Sequence, residues 1–128
     1  MAVQSHLDRM KGVKVIESKV PIEIEPTRAL MADQRSPVLF TNLNGMRAAG
    51  NLWSERERIT DALGLPKDGL TQALMQALAC PRPVEEVKKA RFEEIVEEKF
   101  DLRKLPIPKY YPQDGGQYVT AGVAIAEF

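Results

Sequence analysis

Apolar positions come in short, β-branched runs in the first part of this chain, and alternate with polar ones only imperfectly. Val13 to Val20 is rich in β-branched residues and reads as a strand, with Pro21 ending it. Ile22-Glu23-Ile24-Glu25 alternates cleanly, and Pro26 suits the first turn of a helix over Thr27 to Ala32. Ser36-Pro37 breaks that helix. Val38 to Leu43 is a second strand, and Asn44-Gly45 is a type I′ turn signal. Met46 to Trp53 is expected to return as the hairpin partner.

The period then lengthens. Ser54 to Leu63 predicts a helix in which Ser54 and Glu57 form a capping box and Gly64 is the stop. Leu70 to Ala79 carries Leu70, Leu74, Ala77 and Leu78 at helical spacing, with Asp68 or Thr71 as cap. Cys80-Pro81-Arg82-Pro83 stops it. Val84 to Ala90 is expected to be a short helix. Arg91 to Phe100 is ambiguous: its glutamates favour helix by propensity.

The last stretch, LPIPKYYPQDGGQYVTAGVAIAEF from Leu105, is dense in special residues. Pro106, Pro108 and Pro112 fix φ and remove donors, so Leu105 to Pro112 should run extended as a semi-rigid arm. Asp114-Gly115-Gly116 is a turn, and its backbone N–H groups could alternatively form a phosphate nest. Tyr118 to Ala126 reads as a strand that is apolar on both faces and buried on both, with Gly122 marking a bulge or close approach. Strands and helices without strict alternation indicate an α+β fold with a mixed sheet and flanking helices.

Composition narrows the class. The 128 residues suffice for one domain with a real core, and 44% are hydrophobic against 28% charged. Eighteen basic residues balance eighteen acidic ones, which argues against a nucleic-acid partner. The single cysteine, Cys80, excludes an internal disulfide and fits a reducing compartment. No stretch is long and apolar enough for a membrane span, and no signal-peptide core begins the chain, so the expected location is cytoplasmic.

Few side chains offer chemistry alone. His6 is the only histidine and is expected on the surface of a mobile segment, residues 1–12, where it makes a poor metal ligand. Cys80 reads as a buried, inert thiol. Glu93, Glu94, Glu97 and Glu98 form either an acidic site or a solvated face paired with Lys88, Lys89 and Arg91. Arg56 and Arg58 could hold an anion or pair with Glu55, Glu57 or Asp61. No residue is assigned a catalytic or a metal-binding role.

Three segments resemble a known family. LPIPKYYPQDGGQYVT (Leu105 to Thr120) is similar to the LPI-x-K-x-x-P-x-DGG-x-Y-(I/V)-T motif of UbiD-type decarboxylases. PVLFTNLNG (Pro37 to Gly45) resembles their P-x-LF-x-N-x-x-G segment, and Asn51-Leu52-Trp53 with Arg56-Glu57-Arg58-Ile59 resembles their NLFGTRERI. The resemblance covers the chain from about Val13. It implies the amino-terminal region of a carboxy-lyase acting on an aromatic or α,β-unsaturated carboxylic acid by reversible non-oxidative decarboxylation. It favours a strand for Arg91 to Phe100.

It also implies prenylated FMN, a divalent metal (manganese) and potassium as cofactors. Thr120, at the threonine of the DGG-x-Y-x-T motif, is the one cofactor contact implied within this chain. The family's Asn-x-x-x-x-Arg motif and later glutamates would lie beyond Phe128. Residues 1–128 are then a single α+β domain whose segment 105–128 leads towards a cofactor-binding domain. The implied partners are the remainder of the polypeptide or a partner subunit, and further copies in a homo-oligomer. Alone, the chain is not expected to be active. The alternative is a non-catalytic interaction module or small subunit that completes a partner's site.

Overall fold

The structure, a computed structural model, describes residues 3–83, 88, 94–120 and 122. It packs as two compact units, Met1–Ser54 with Arg103–Phe128, and Glu55–Leu102.

The first unit is built on a three-stranded mixed sheet, as the α+β reading expects. Strand β1 (Lys14–Ile16) pairs parallel with β2 (Val38–Leu43), and β2 pairs antiparallel with β3 (Met46–Gly50), in the order β1-β2-β3. Helix α1 (Val3–Leu7) precedes the sheet, and α2 (Glu25–Ala32) connects β1 to β2. Val20, Val38, Phe40 and Leu43 form the core, with Leu30 and Ala48 packed against it. Val38 and Phe40 share a face by the period of two. An irregularity in the β2–β3 register between Phe40 and Leu43 turns Leu43 inward as well. Each such buried side chain stabilises the fold by about 1.5–3 kcal/mol.

The hairpin turn forms as its residues require. Asn44 and Gly45 both take positive φ, 53° and 83°, and the Gly45 N–H donates to Asn42 Oδ1 at 3.0 Å. The strands are shorter than expected. β1 stops at Ile16, and Thr41 donates its hydroxyl to the carbonyls of Ile16 and Glu17 where the ladder lapses. Val20 rejoins through a single bridge to Leu43. β3 ends at Gly50 because Asn51, at φ 55°, leaves the extended region.

Pro26 lies in the first turn of α2 and is buried. The alternation over Ile22 to Glu25 yields one bridge, Glu23 to Lys109, and not a strand. Ile24 sits at φ 63°, a strained conformation for a β-branched residue. It is held by the arm, since the Ile24 N–H donates to the Lys109 carbonyl at 2.9 Å and the Lys109 N–H donates to that of Ile22 at 3.1 Å. Leu105 to Pro112 runs without helix, as its prolines dictate.

Beyond the arm the structure departs from expectation. Neither Gly115 nor Gly116 takes positive φ. Tyr118 to Thr120 form no strand, and Tyr118 and Val119 are 42% and 64% exposed. No neighbouring strand among the described residues offers them a ladder. Residues 121 and 123–126 of the expected strand lie outside the described residues.

His6 is buried at 7% exposure, not on the surface, because its ring stacks on Trp53 with centroids 4.7 Å apart.

The second unit holds α3 (Arg56–Leu63) and α4 (Leu70–Ala79). Gly64 closes α3 at φ 66°, with the Leu65 N–H donating to the Thr60 carbonyl at 2.8 Å. The capping box is absent. The helix starts two residues after Ser54, its N-cap is Glu55, and no side chain caps it. Ser54 instead donates its hydroxyl to the carbonyls of Arg35 and Asn51, each at 3.0 Å. Glu57 pairs with Lys67.

Neither Asp68 nor Thr71 caps α4, whose N-cap is Gly69. Cys80 is exposed, contrary to the buried reading, since α4 itself carries no buried residue. The described part of the expected strand over Arg91 to Phe100, residues 94–100, has no strand pairing, and Ile95 and Val96 are largely exposed. The expected helix over Val84 to Ala90 lies outside the described residues, apart from Lys88. A short 3-10 turn, Leu102–Lys104, follows.

Candidate functional site

The first unit contains an apolar cleft of about 390 Å³, bounded by α2, β2, β3 and the proline arm. Each wall follows from a local rule. Pro26 and Leu30 project from α2, one turn apart. Gly50 ends β3, and a Cβ there would overlap the terminal methyls of Leu30, so only glycine leaves that wall in place. The rigid Pro106-Ile107-Pro108 segment forms the opposite side.

Tyr110, Tyr118, Val119 and Thr120 complete the lining. Tyr110 and Tyr118 tilt together with ring centroids 5.3 Å apart. A turn separates them, closed by two hydrogen bonds. The Tyr111 N–H donates to Asp114 Oδ2 at 2.8 Å, and the Asp114 N–H donates to the Tyr111 carbonyl at 3.1 Å. Burial, and then the Asp114 carboxylate beside it, push the Tyr118 phenol above its ordinary value of 10.0.

Thr120 thus lies in the lining of a cleft, exposed and at the end of an aromatic pair. Of its neighbours in that lining, Tyr118 belongs to the same motif, while Leu30, Gly50 and Tyr110 carry no sequence signal of chemistry. They come together only through the fold.

The other candidates separate. Arg58 pairs with Glu55 at 3.1 Å, and Arg56 donates to Thr71 Oγ1 at 2.7 Å, so both serve the second unit's own packing. Glu94, Glu97 and Glu98 are exposed, and Glu93 lies outside the described residues. No group of three metal-ligating side chains occurs among the described residues. None of the described helices is long and apolar enough to cross a membrane.

A flat, largely apolar ring system suits this cleft in size and in chemistry, since small-molecule sites span about 300–1,000 Å³ and are mostly apolar with a few polar groups. A phosphate does not suit it, because no charged side chain is in the lining. The described residues fit the ring portion of a flavin and leave its phosphate to other groups.

Residues 5–78 match the model of the 3-octaprenyl-4-hydroxybenzoate carboxy-lyase N-terminal domain, and residues 83–127 match the Rift-related domain of the same carboxy-lyase. The chain is 29% identical to the anhydromevalonate phosphate decarboxylase of Methanosarcina mazei, over all of this chain and 31% of that protein. It is 33% identical to the protein of that name from Archaeoglobus fulgidus, over 71% of this chain and 21% of the relative. Among solved structures, the UbiD-class enzyme HmfF from Pelotomaculum thermopropionicum, determined in complex with FMN, matches 92% of this chain and 28% of its own. Its TM-score is 0.79 at 27% identity. The chain therefore spans under a third of the length of these relatives.

Proposed function

The chain belongs to the UbiD family of 3-octaprenyl-4-hydroxybenzoate carboxy-lyases, and on that premise we propose that it is the amino-terminal part of a flavin-dependent decarboxylase. The reaction is reversible, non-oxidative loss of carbon dioxide from an aromatic or α,β-unsaturated carboxylic acid. The relatives named for anhydromevalonate phosphate favour an unsaturated, phosphorylated acid within that class. The observation that carries the reading is the fit of 92% of this chain to an enzyme solved with FMN.

The cofactor in this reading is prenylated FMN, with manganese and potassium. When bound, the flavin supplies electrophilic covalent catalysis. This chain's own share is placement. Thr120 offers its hydroxyl to the flavin, while Leu30, Tyr110 and Tyr118 exclude water from one side of the ring. The residues after Lys104 act as the lead into a cofactor-binding domain, so that residues 1–128 serve as one α+β portion of a larger cytoplasmic, homo-oligomeric enzyme. The metal and the flavin phosphate are held by groups of that larger assembly.

The test is direct. The chain is assayed with prenylated FMN, manganese and potassium against cinnamate-like, hydroxybenzoate-like and phosphorylated unsaturated acids. No carbon dioxide release is expected from the chain alone, and turnover above a protein-free control would overturn this division of labour. Quenching of FMN fluorescence by the chain is expected, weakened roughly three- to tenfold by Thr120→Ala, the factor that one hydrogen bond is worth. Quenching that Thr120→Ala leaves undiminished would remove Thr120 from the flavin's surroundings.

A further inference from the structure

Tyr110 and Tyr118 are eight positions apart in the chain, yet their rings meet at 5.3 Å. An extended chain would carry them more than 20 Å apart. What reverses the chain between them is the turn from Tyr111 to Asp114, and the glycines after it do not use positive φ to do so. The turn is closed by Asp114 from both of its ends. Its carboxylate accepts the Tyr111 N–H at 2.8 Å, and its own N–H donates to the Tyr111 carbonyl at 3.1 Å. A carboxylate accepting a backbone N–H is a charge-assisted bond, stronger than a neutral one. We propose that Asp114 is a positioning residue of the cleft: it closes the turn that folds Tyr118 onto Tyr110, and the aromatic pair in turn sets Thr120 in the lining.

The inference rests on the reading of the cleft as one wall of a flavin site, but the positioning itself is a property of the free chain. The residue's second interaction supports it. Besides closing the turn, the carboxylate lies beside the Tyr118 phenol, where it adds to desolvation in raising that phenol above its ordinary value. One side chain thus touches both the turn and the ring that the turn delivers. Asp114 does not line the cleft, whereas Tyr110, Tyr118 and Thr120 do. Its effect on a ligand must pass through them.

The experiment compares the full chain with Asp114→Ala and Asp114→Asn. In the free chain, NMR cross-peaks between the Tyr110 and Tyr118 rings report the pair, and the resonances of Val38 and Phe40 report the core. Asp114→Ala is expected to abolish the ring cross-peaks, leave the core unchanged and bring the Tyr118 titration down towards its ordinary value. Asp114→Asn keeps an acceptor for the Tyr111 N–H, and the cross-peaks are expected to survive. With FMN added, the affinity should fall roughly three- to tenfold for Asp114→Ala and recover in Asp114→Asn.

Ring cross-peaks that persist in Asp114→Ala would overturn the proposal. Should Asp114→Ala lose its fold, Asp114→Gly and Tyr118→Leu take its place. Ring cross-peaks that stay at full strength in Asp114→Gly, which like Asp114→Ala has no side-chain acceptor, or undiminished FMN affinity in Tyr118→Leu, would overturn it equally. A wild-type chain that shows the ring pair and its dependence on Asp114, yet binds no FMN, would sustain the positioning and refute the flavin reading.

Discussion

Asn51 donates its side-chain amide to the carbonyl of Leu30 at 2.9 Å, and to that of Asp33 at 3.2 Å, closing the end of a helix from the far side of the sheet's last strand. The final carbonyls of a helix have no partner within it. Asn51 can reach them because it takes φ 55°, a conformation that asparagine tolerates better than most residues. Asn51→Gly keeps that backbone and removes only the amide. It is expected to lower stability by about 1–2 kcal/mol, two modest hydrogen bonds less what water restores. Urea melts decide it, and an unchanged midpoint would mean that water serves these carbonyls equally well.

Much of this was legible as local chemistry. Val38 to Leu43, Asn44-Gly45, Pro26 and Gly64 act through their own backbone preferences, so the sequence reading places them where the structure does. Asn51 stood out only as part of a family resemblance, because its partners lie 21 and 18 residues upstream. The cleft was hidden for the same reason. Gly50 matters through Leu30, and Tyr118 through Tyr110, pairings set by tertiary contact. Thr120 was reached through the motif and not through any signal of its own. The Ser54 cap failed because a hydroxyl bonds the acceptor that the fold brings near, here the Arg35 carbonyl.

Ser54→Ala therefore tests a different contact from the expected one. Its hydroxyl bonds are exposed, so the loss should be about 0.5–1 kcal/mol. Hydrogen exchange locates it. Amides near Arg35 and Asn51 should exchange faster, while those of Arg56 to Leu63 stay unchanged. Faster exchange confined to that helix would restore the capping role.

The pair Glu57–Lys67 gives the second unit a dependence on pH at both extremes. A hydrogen bond from Lys67, and then its charge, hold the Glu57 carboxyl below its ordinary value of 4.5. Its contribution is present above that value and is lost as pH falls through the lowered one. Lys67 is raised above 10.5 by the same partner, so its contribution is present below 10.5 and is lost as pH rises through the raised value. Both groups are exposed and screened by salt. The difference in melting temperature between wild type and Glu57→Gln should be small, largest between these limits, and vanish below the acidic one. A difference that grows on acidification would place the carboxylate in some other interaction.

Gly50→Ala should disturb the cleft wall and the sheet together. Gly50 pairs with Val38 on the ladder, so its backbone cannot swing away without cost to the core strand. A new Cβ would overlap the methyls of Leu30, which packs against the core and also lines the cleft. Overpacking of this kind costs typically 1–3 kcal/mol. The side chain that can yield is Leu30, and its open direction is into the cleft. A double-mutant cycle separates this from a general loss of strand stability. Leu30→Ala alone should destabilise the unit by removing apolar contact. Combined with Gly50→Ala, it also removes the atoms that the new methyl strikes, so the double variant should be more stable than the sum of the two losses predicts. Strict additivity would show that the two side chains do not meet, and that the cleft's α2 wall is set by something other than the missing Cβ of Gly50.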